Sequence, residues 1–277
     1  VEQTVSEAIA QPVEEAKGYV QAQEAVNVDE TGWRQAHQKA WLWTVVSAWV
    51  TVFAIRLSRG GQVVRELLGD AFEGIVGSDR FPAYSFLSPT ARQICWAHLS
   101  REFQAFVDRG GASALLGEAL LAQVDQMFAW WHRVRDGTLK RASFQVYMSH
   151  VKRRVGHLLR QGQACAHTKT AATCTQILKV EAALWTFVRN ESVEPTNNAA
   201  ERALRHGVLW RKTSFGTQSA AGSRFVERMM TVVATLRQQN RNVLEYLTAA
   251  CETNLCGQTP PSLLPNHPGI SSSLQTS

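Results

Sequence analysis

The sequence predicts a mixed α/β fold interrupted by an all-helical insertion. Three observations carry that expectation. Residues 25–110 alternate short runs rich in Val, Ile, Thr, Phe and Trp with stretches of helical periodicity. Residues 111–192 lose the strand signal and carry apolar residues at alternating spacings of four and three. Residues 193–256 open on a polar loop and return to periodic helices.

Residues 1–24 are acidic and rich in Ala, Gln and Val. Val5 and Ile9 can share a helix face, as can Val13, Ala16 and Val20, with Pro12 interrupting between them. The stretch reads as a linker or connecting helix. Ala25 to Asp29 reads as a short strand ending in a turn at Thr31-Gly32. Trp41 to Trp49 and Val50 to Leu57 have the composition strands prefer and read as a meander. Val63, Val64, Leu67 and Leu68 predict a helix over 60–70, entered at Gly60-Gly61. Gly74 to Asp79 reads as an apolar strand ending in an acid, and Arg92 to Trp96 as a further strand. A helix over 97–108 is stopped by Gly110-Gly111.

In the insertion, Leu120, Val124, Met127, Trp131 and Val134 form one stripe and Phe144, Met148, Val151, Val155 and Leu158 another. The turn Asp136-Gly137-Thr138 separates them. A third helix is expected over 173–188, and short connections make the three an antiparallel bundle. Beyond the loop 191–196 come a helix carrying Glu201, a basic turn at Arg211-Lys212, a periodic helix over 223–238 and a shorter one over 242–251. Residues 257–277 are rich in Pro, Ser and Gly and are expected to be disordered.

With 277 residues, 45% of them hydrophobic, and a mean hydropathy of −0.18, the chain can bury a real core and reads as soluble. No apolar run reaches the ~18 residues of a membrane helix, so no membrane partner is expected. A net charge of +6 and a pI of about 9.3 favour nucleic acid as a partner. Five scattered cysteines do not suggest a disulfide framework and fit a reducing, cytoplasmic setting. The chain opens at Val1 without a signal peptide and reads as a fragment lacking an N-terminal part.

Three acids stand where chemistry can gather. Asp29 and Asp79 follow apolar strands, and α/β sites collect at strand ends. Glu201 begins a helix that can pack on the same sheet. Hard divalent cations take oxygen ligands, and Mg²⁺ takes only a few carboxylates from a protein. Two such ions about 3.5–4 Å apart activate an attacking oxygen and stabilise a leaving one. Each acid also has a plainer reading. Asp29 can open a turn, and Asp79 can cap the turn at Phe81-Pro82. Glu201 lies three residues after Asn198, as in a capping box, and four before Arg205, as in a surface ion pair. Glu30 is expected on the opposite strand face from Asp29 and so is a poor ligand.

The segments Val28-Asp29-Glu30-Thr31, Gly77-Ser78-Asp79-Arg80-Phe81-Pro82-Ala83-Tyr84, Cys95-Trp96-Ala97-His98-Leu99-Ser100-Arg101-Glu102-Phe103 and Thr196-Asn197-Asn198-Ala199-Ala200-Glu201-Arg202-Ala203-Leu204-Arg205 occur in this order, followed by the basic Val208 to Gly216. Together they resemble the insertion-sequence-66 family of bacterial DDE transposases over roughly residues 25–250. The resemblance implies a ribonuclease-H-like catalytic core split into 25–110 and 193–256 by the helical insertion 111–192. It implies Asp29, Asp79 and Glu201 as a triad binding Mg²⁺ or Mn²⁺, two ions. It implies DNA cleavage that leaves a 3′-hydroxyl, then attack of that hydroxyl on target DNA. It further implies a homodimer on paired transposon ends in a bacterial, nucleoid-associated setting. Family members also carry N-terminal zinc-binding and helical DNA-recognition regions. No counterpart is expected in these residues, nor sequence-specific end recognition by this polypeptide alone. A metal-dependent nuclease without strand transfer and an inactive DNA-binding remnant are the alternatives.

Around the triad, Arg205, Arg211, Lys212 and Arg224 are candidate phosphate contacts. Asn197 can share the Glu201 face and Asn198 can cap its helix. Cys95-x-x-His98 supports Asp79 from behind or, with partners such as Cys165, His167 and Cys174, binds zinc. Trp131 fits the core, while Trp130 and Trp210 are open to base stacking.

Overall fold

The computed structural model describes residues 1–265. In chain order the elements are α1 (Glu2–Ala8), α2 (Ala10–Gln21), β1 (Ala25–Gln35), β2 (Gln38–Val46), β3 (Thr51–Arg56), α3 (Gly61–Leu68), β4 (Ile75–Ser78), β5 (Arg92–Ile94), α4 (Trp96–Asp108), α5 (Gly111–Arg135), α6 (Arg141–Gly162), α7 (Thr168–Leu178), α8 (Thr186–Arg189), α9 (Asn198–Ser214), α10 (Ala220–Gln238) and α11 (Val243–Leu255). The fold is mixed α/β, with an antiparallel three-stranded meander, a parallel strand pair and many helices. The described residues divide into two compact units, residues 1–72 with 199–265, and residues 73–198.

The first unit is built on the antiparallel meander β1–β2–β3. Here the expected turn at Thr31-Gly32 is corrected. These residues pair with Leu42 and Trp41, so β1 runs on to Gln35 and the hairpin turns at Ala36-His37. Long-range pairing with an apolar partner strand outweighs the local turn signal of a glycine. Residues opposite one another in antiparallel strands share a face, and successive residues alternate. The register therefore places Asp29, Thr31, Trp33, Leu42, Thr44, Phe53 and Ile55 on one face. On that face Trp33, Leu42, Phe53 and Ile55 pack with Leu204 of α9 and Val226 and Met230 of α10.

Helix α10 also covers the outer edge of β3. Glu227, Thr231 and Thr235, four residues apart and so on one helix face, accept the backbone N–H groups of Ile55, Phe53 and Thr51 at 2.6, 3.0 and 3.1 Å. An edge strand left bare would offer those donors to another chain.

The N-terminal stretch is two helices rather than one interrupted by Pro12. The break falls at Ile9, and Pro12 sits in the first turn of α2, where a missing N–H costs nothing. Ile9, Val13, Ala16 and Val20 are all buried. Of the stretch expected to be disordered, residues 261–263 are pinned. Leu263 is wholly buried, and Tyr246, Gln239 and Arg241 donate to the carbonyls of Pro261, Leu263 and Ser262. The end of that expected tail, 266–277, lies outside the described residues.

The second unit pairs β4 with β5 in parallel and is otherwise helical. Helices α4 and α5 approach closely at Gly117, where a Cβ would come within 2.7 Å of the Phe103 carbonyl. Between α5 and α6, Asp136 accepts the backbone N–H of Thr138 at 2.9 Å, fixing the turn that Gly137 permits with φ of 79°. Trp131, Phe144 and Phe187 form an aromatic cluster with centroids 5.6–6.0 Å apart.

The third insertion helix differs from expectation. It starts earlier, at Thr168, and ends at Leu178, and the chain then makes a 3₁₀ turn over Glu181–Leu184 before the short α8. The reason is tertiary. Breaking the helix lets the Leu184 carbonyl accept the side chains of Gln93 and Trp96 at 3.2 and 2.8 Å. It also lets the Phe187 N–H reach Gln93 Oε1 at 2.8 Å. Gln93 is a buried polar residue in β5 and needs those partners.

Candidate active site

Asp29 lies in the interior of β1, half-buried, opposite Thr44, rather than at a strand end. One carboxylate oxygen accepts the backbone N–H of Glu30 at 2.9 Å. Because the strand continues, Glu30 points to the other face. It is buried there in an ion pair with Arg59 at 2.8 Å, as its exclusion as a ligand requires.

Glu201 is half-buried in the first turn of α9. That helix is seated on the same sheet face as Asp29. Ala200, Leu204 and Gly207, at spacings of four and three, are its buried stripe, and a Cβ on Gly207 would meet Leu42 Cδ2 at 2.2 Å. At the far end of α9, Arg211 donates through Nη1 to the Gly32 carbonyl and to Thr31 Oγ1. Arg211 and Lys212 thus belong to the last helical turn, not to a loop. Arg211 clamps α9 to β1, while Arg205, Lys212 and Arg224 are exposed.

Asp79 follows β4 directly, as expected, and is half-buried. Its Oδ1 accepts the Phe81 N–H at 2.9 Å, the turn-capping role foreseen for it. Sequence reasoning missed its cationic neighbour Arg92. This buried arginine donates to the Asp79 carbonyl at 3.2 Å. Burial pushes its guanidinium pKa below the usual value, and the charge of Asp79 pulls it back up. The available signal was an arginine opening an otherwise strand-like run.

Cys95 is buried at the entry to α4, immediately after β5, and its N–H bonds the Ser78 carbonyl at 2.9 Å. Cys95 Sγ and a ring nitrogen of His98 lie within 4.8 Å of each other, so both can face one ion. Cys174 is less suited to that chemistry. Burial holds its thiol up to about 11, away from the thiolate that binds metal.

Asn197 is wholly buried, and neither of its amide atoms is hydrogen-bonded among the described residues. Asn198 is the first residue of α9. Trp131 is buried in the aromatic cluster, as expected; Trp130 packs on Tyr147 at 4.9 Å, and Trp210 is partly exposed.

The antiparallel meander, the acid after β4 and the acid opening a sheet-packed helix define a mixed α/β protein with three carboxylates on separate elements. The chain matches the IS66 transposase family over residues 1–224 and belongs to it. The match takes in the two N-terminal helices as well. The chain is also similar to the uncharacterised protein y4qI of Sinorhizobium fredii (strain NBRC 101917 / NGR234), with 25% identity over 237 residues, 76% of this chain and 43% of that protein. The chain therefore spans less than half the length of this relative. No solved structure matches it. Among the described residues, no helix is long and apolar enough to cross a membrane.

Proposed function

We propose that the chain is the catalytic region of a DDE transposase, with a ribonuclease-H-like core and Asp29, Asp79 and Glu201 as its active acids. The observation that carries this reading is that Asp29 occupies the sheet face on which the Glu201 helix is packed, within a family of transposases. The order of an antiparallel meander followed by a parallel pair also supports such a core. The donor set fits the ion the family reading calls for, since carboxylate oxygens are the hard ligands Mg²⁺ or Mn²⁺ takes. A pair of such ions, when bound, supplies Lewis acidity to the attacking and leaving oxygens.

The reaction is phosphoryl transfer on DNA. Water attacks a phosphodiester and the 3′ oxygen leaves with a proton; the resulting 3′-hydroxyl then attacks a target phosphodiester, losing its proton and joining to the phosphorus as the target strand's own 3′ oxygen leaves and is protonated. Arg205, Lys212 and Arg224 contact phosphates, whereas Arg211 holds α9 in place. Asn197 and Asn198 shape the entry to the Glu201 helix, and Cys95 and His98 support the segment behind Asp79. The protein acts as a homodimer on paired ends, in the bacterial cytoplasm at the nucleoid.

The test uses the full chain with terminal-repeat DNA of its own element and Mn²⁺. Asp29→Ala or Glu201→Ala abolishes strand cleavage with circular dichroism unchanged. Wild-type cleavage by either variant refutes the assignment. Cleavage without joining of a pre-cut end points to a nuclease, and metal-independent binding alone to an inactive remnant.

A further inference from the structure

The positive charge of this protein is concentrated in its helical insertion. From Gly137 to Val180 there are eight Lys or Arg and no Asp or Glu, which leaves 21 basic against 23 acidic residues elsewhere. On α6, Lys152, Arg153 and Arg154 are all exposed. Beside them, between α6 and α8, lies a cavity of about 160 Å³. Its apolar lining is Met148, Trp185 and Val188, all buried, and its rim is Gln145, Ser149, Lys152 and Arg189, all exposed. Trp185 is 3% exposed, and its indole N–H is buried without a hydrogen-bond acceptor among the described residues. A buried donor left unpaired costs free energy that a ligand's acceptor would recover.

We propose that this cavity receives one unpaired DNA base. Its volume is below the ~300 Å³ at which pockets take drug-sized ligands, and leaves room for a single planar ring. Of the polar groups around it, Trp185, Lys152 and Arg189 only donate, while Gln145 and Ser149 give N–H and O–H to the Val188 and Val146 carbonyls and keep oxygens that can accept from a base N–H. Their complement is a flat, partly apolar group with acceptors on its edge and anions on either side, which describes a nucleotide within a strand. On entry of the base the Trp185 ring shifts so that its Nε1–H, closed to solvent in the unbound protein, donates to a carbonyl or ring nitrogen of the base, and Lys152 and Arg189 hold the adjacent phosphates. The inference rests on DNA being the substrate, as proposed above, but not on the catalytic acids.

The experiment is fluorescence anisotropy of the full chain in EDTA, so that cleavage plays no part. The probes are a duplex with one bulged thymine, the fully paired duplex, and a duplex with an abasic bulge. Wild type is expected to bind the thymine bulge about tenfold tighter than the other two. Lys152→Glu with Arg189→Glu weakens all three and lowers the salt slope by about two, one for each phosphate contact. Trp185→Phe removes only the preference for the bulge. Ser149→Trp, at the exposed rim, fills the cavity and does the same if Trp185→Phe does not fold. Equal binding of the three probes by wild type, an unchanged salt slope in the charge reversals, or tighter binding of the same sequence as RNA overturns the proposal. Loss of cleavage in Asp29→Ala without change in this binding leaves it standing; no DNA binding by wild type overturns both readings.

Discussion

Replacing Gly207 by Ala tests how α9 is seated, and with it the placement of Glu201. The added Cβ would lie 2.2 Å from Leu42 Cδ2 and 3.1 Å from Met230 Cε. Leu42 is wholly buried in the core of the first unit, so its methyl cannot swing away into solvent. Overpacking of this kind costs about 1–3 kcal/mol. Ala in place of Gly inside a helix returns about 1 kcal/mol. Gly207→Ala should therefore destabilise by about 0–2 kcal/mol, a value too small to identify its cause. A double-mutant cycle identifies it. Leu42→Val removes the offending Cδ2 and costs about 1 kcal/mol by itself. In that background Gly207→Ala should be neutral or stabilising by up to about 1 kcal/mol, for a coupling of about 1–3 kcal/mol. Urea unfolding of the four proteins measures it, with coincident probes to establish two-state behaviour. Equal destabilisation in both backgrounds, with coupling below about 0.5 kcal/mol, refutes the seating of α9 on Leu42. A helix lifted by even a fraction of an ångström carries Glu201 with it. Cleavage by Gly207→Ala should then fall further than its stability does, because misplacement by about 1 Å costs up to 100-fold.

Two further predictions concern the α10 ladder. Thr231→Val keeps the side chain's shape but leaves the buried Phe53 N–H without its acceptor. It should cost about 1–3 kcal/mol, or roughly 2–12 °C in melting temperature, while Thr231→Ser retains most stability; equal melting points for the Val variant and wild type would contradict the ladder. Burial raises the Glu227 pKa above 4.5, against the opposing pull of the Ile55 N–H and Arg56. A carboxyl whose folded pKa is raised binds protons more tightly when folded, so its contribution is full below pH 4.5 and is lost as pH rises through the folded value. Glu227→Gln, which keeps an acceptor for Ile55, should therefore gain stability relative to wild type as pH climbs from 4.5 toward neutral in pH-dependent melts; a constant difference across that range would show that Glu227 is not perturbed.

Much of this architecture was legible because its signals are local. The a/d stripes of α5 and α6, the turn at Asp136-Gly137 and the strand before Asp79 each follow from side chains close in sequence. What escaped were features set by distant partners. β1 runs through Thr31-Gly32 because β2 supplies hydrogen bonds that a lone glycine cannot veto. The third insertion helix breaks after Leu178 because Gln93 and Trp96, some 90 positions earlier, need the Leu184 carbonyl. The residues after Gly257 look disordered by composition, yet Leu263 finds a buried place and Tyr246 a carbonyl to bond. Arg92 was invisible as a neighbour of Asp79 for the same reason: only the parallel pairing of β5 with β4 brings the two together.

The length of β1 changes how the first acid is to be understood. An aspartate at a frayed strand end can reach either face, and its neighbour Glu30 could substitute for it. Within a paired strand that freedom is gone. A slip of one residue would exchange the faces of Asp29 and Glu30 and of every residue after them. It would take Trp33 out of the cluster with Leu42 and Leu204, and it would break the Glu30–Arg59 pair, leaving a buried carboxylate uncompensated. Both costs oppose the same slip. The apolar contacts of Trp33 on one face and the ion pair of Glu30 on the other thus fix which carboxylate is presented to the α9 side. Glu30, though not a ligand in this reading, is a positioning residue for Asp29, and Arg59→Ala should loosen the register that holds the aspartate in place.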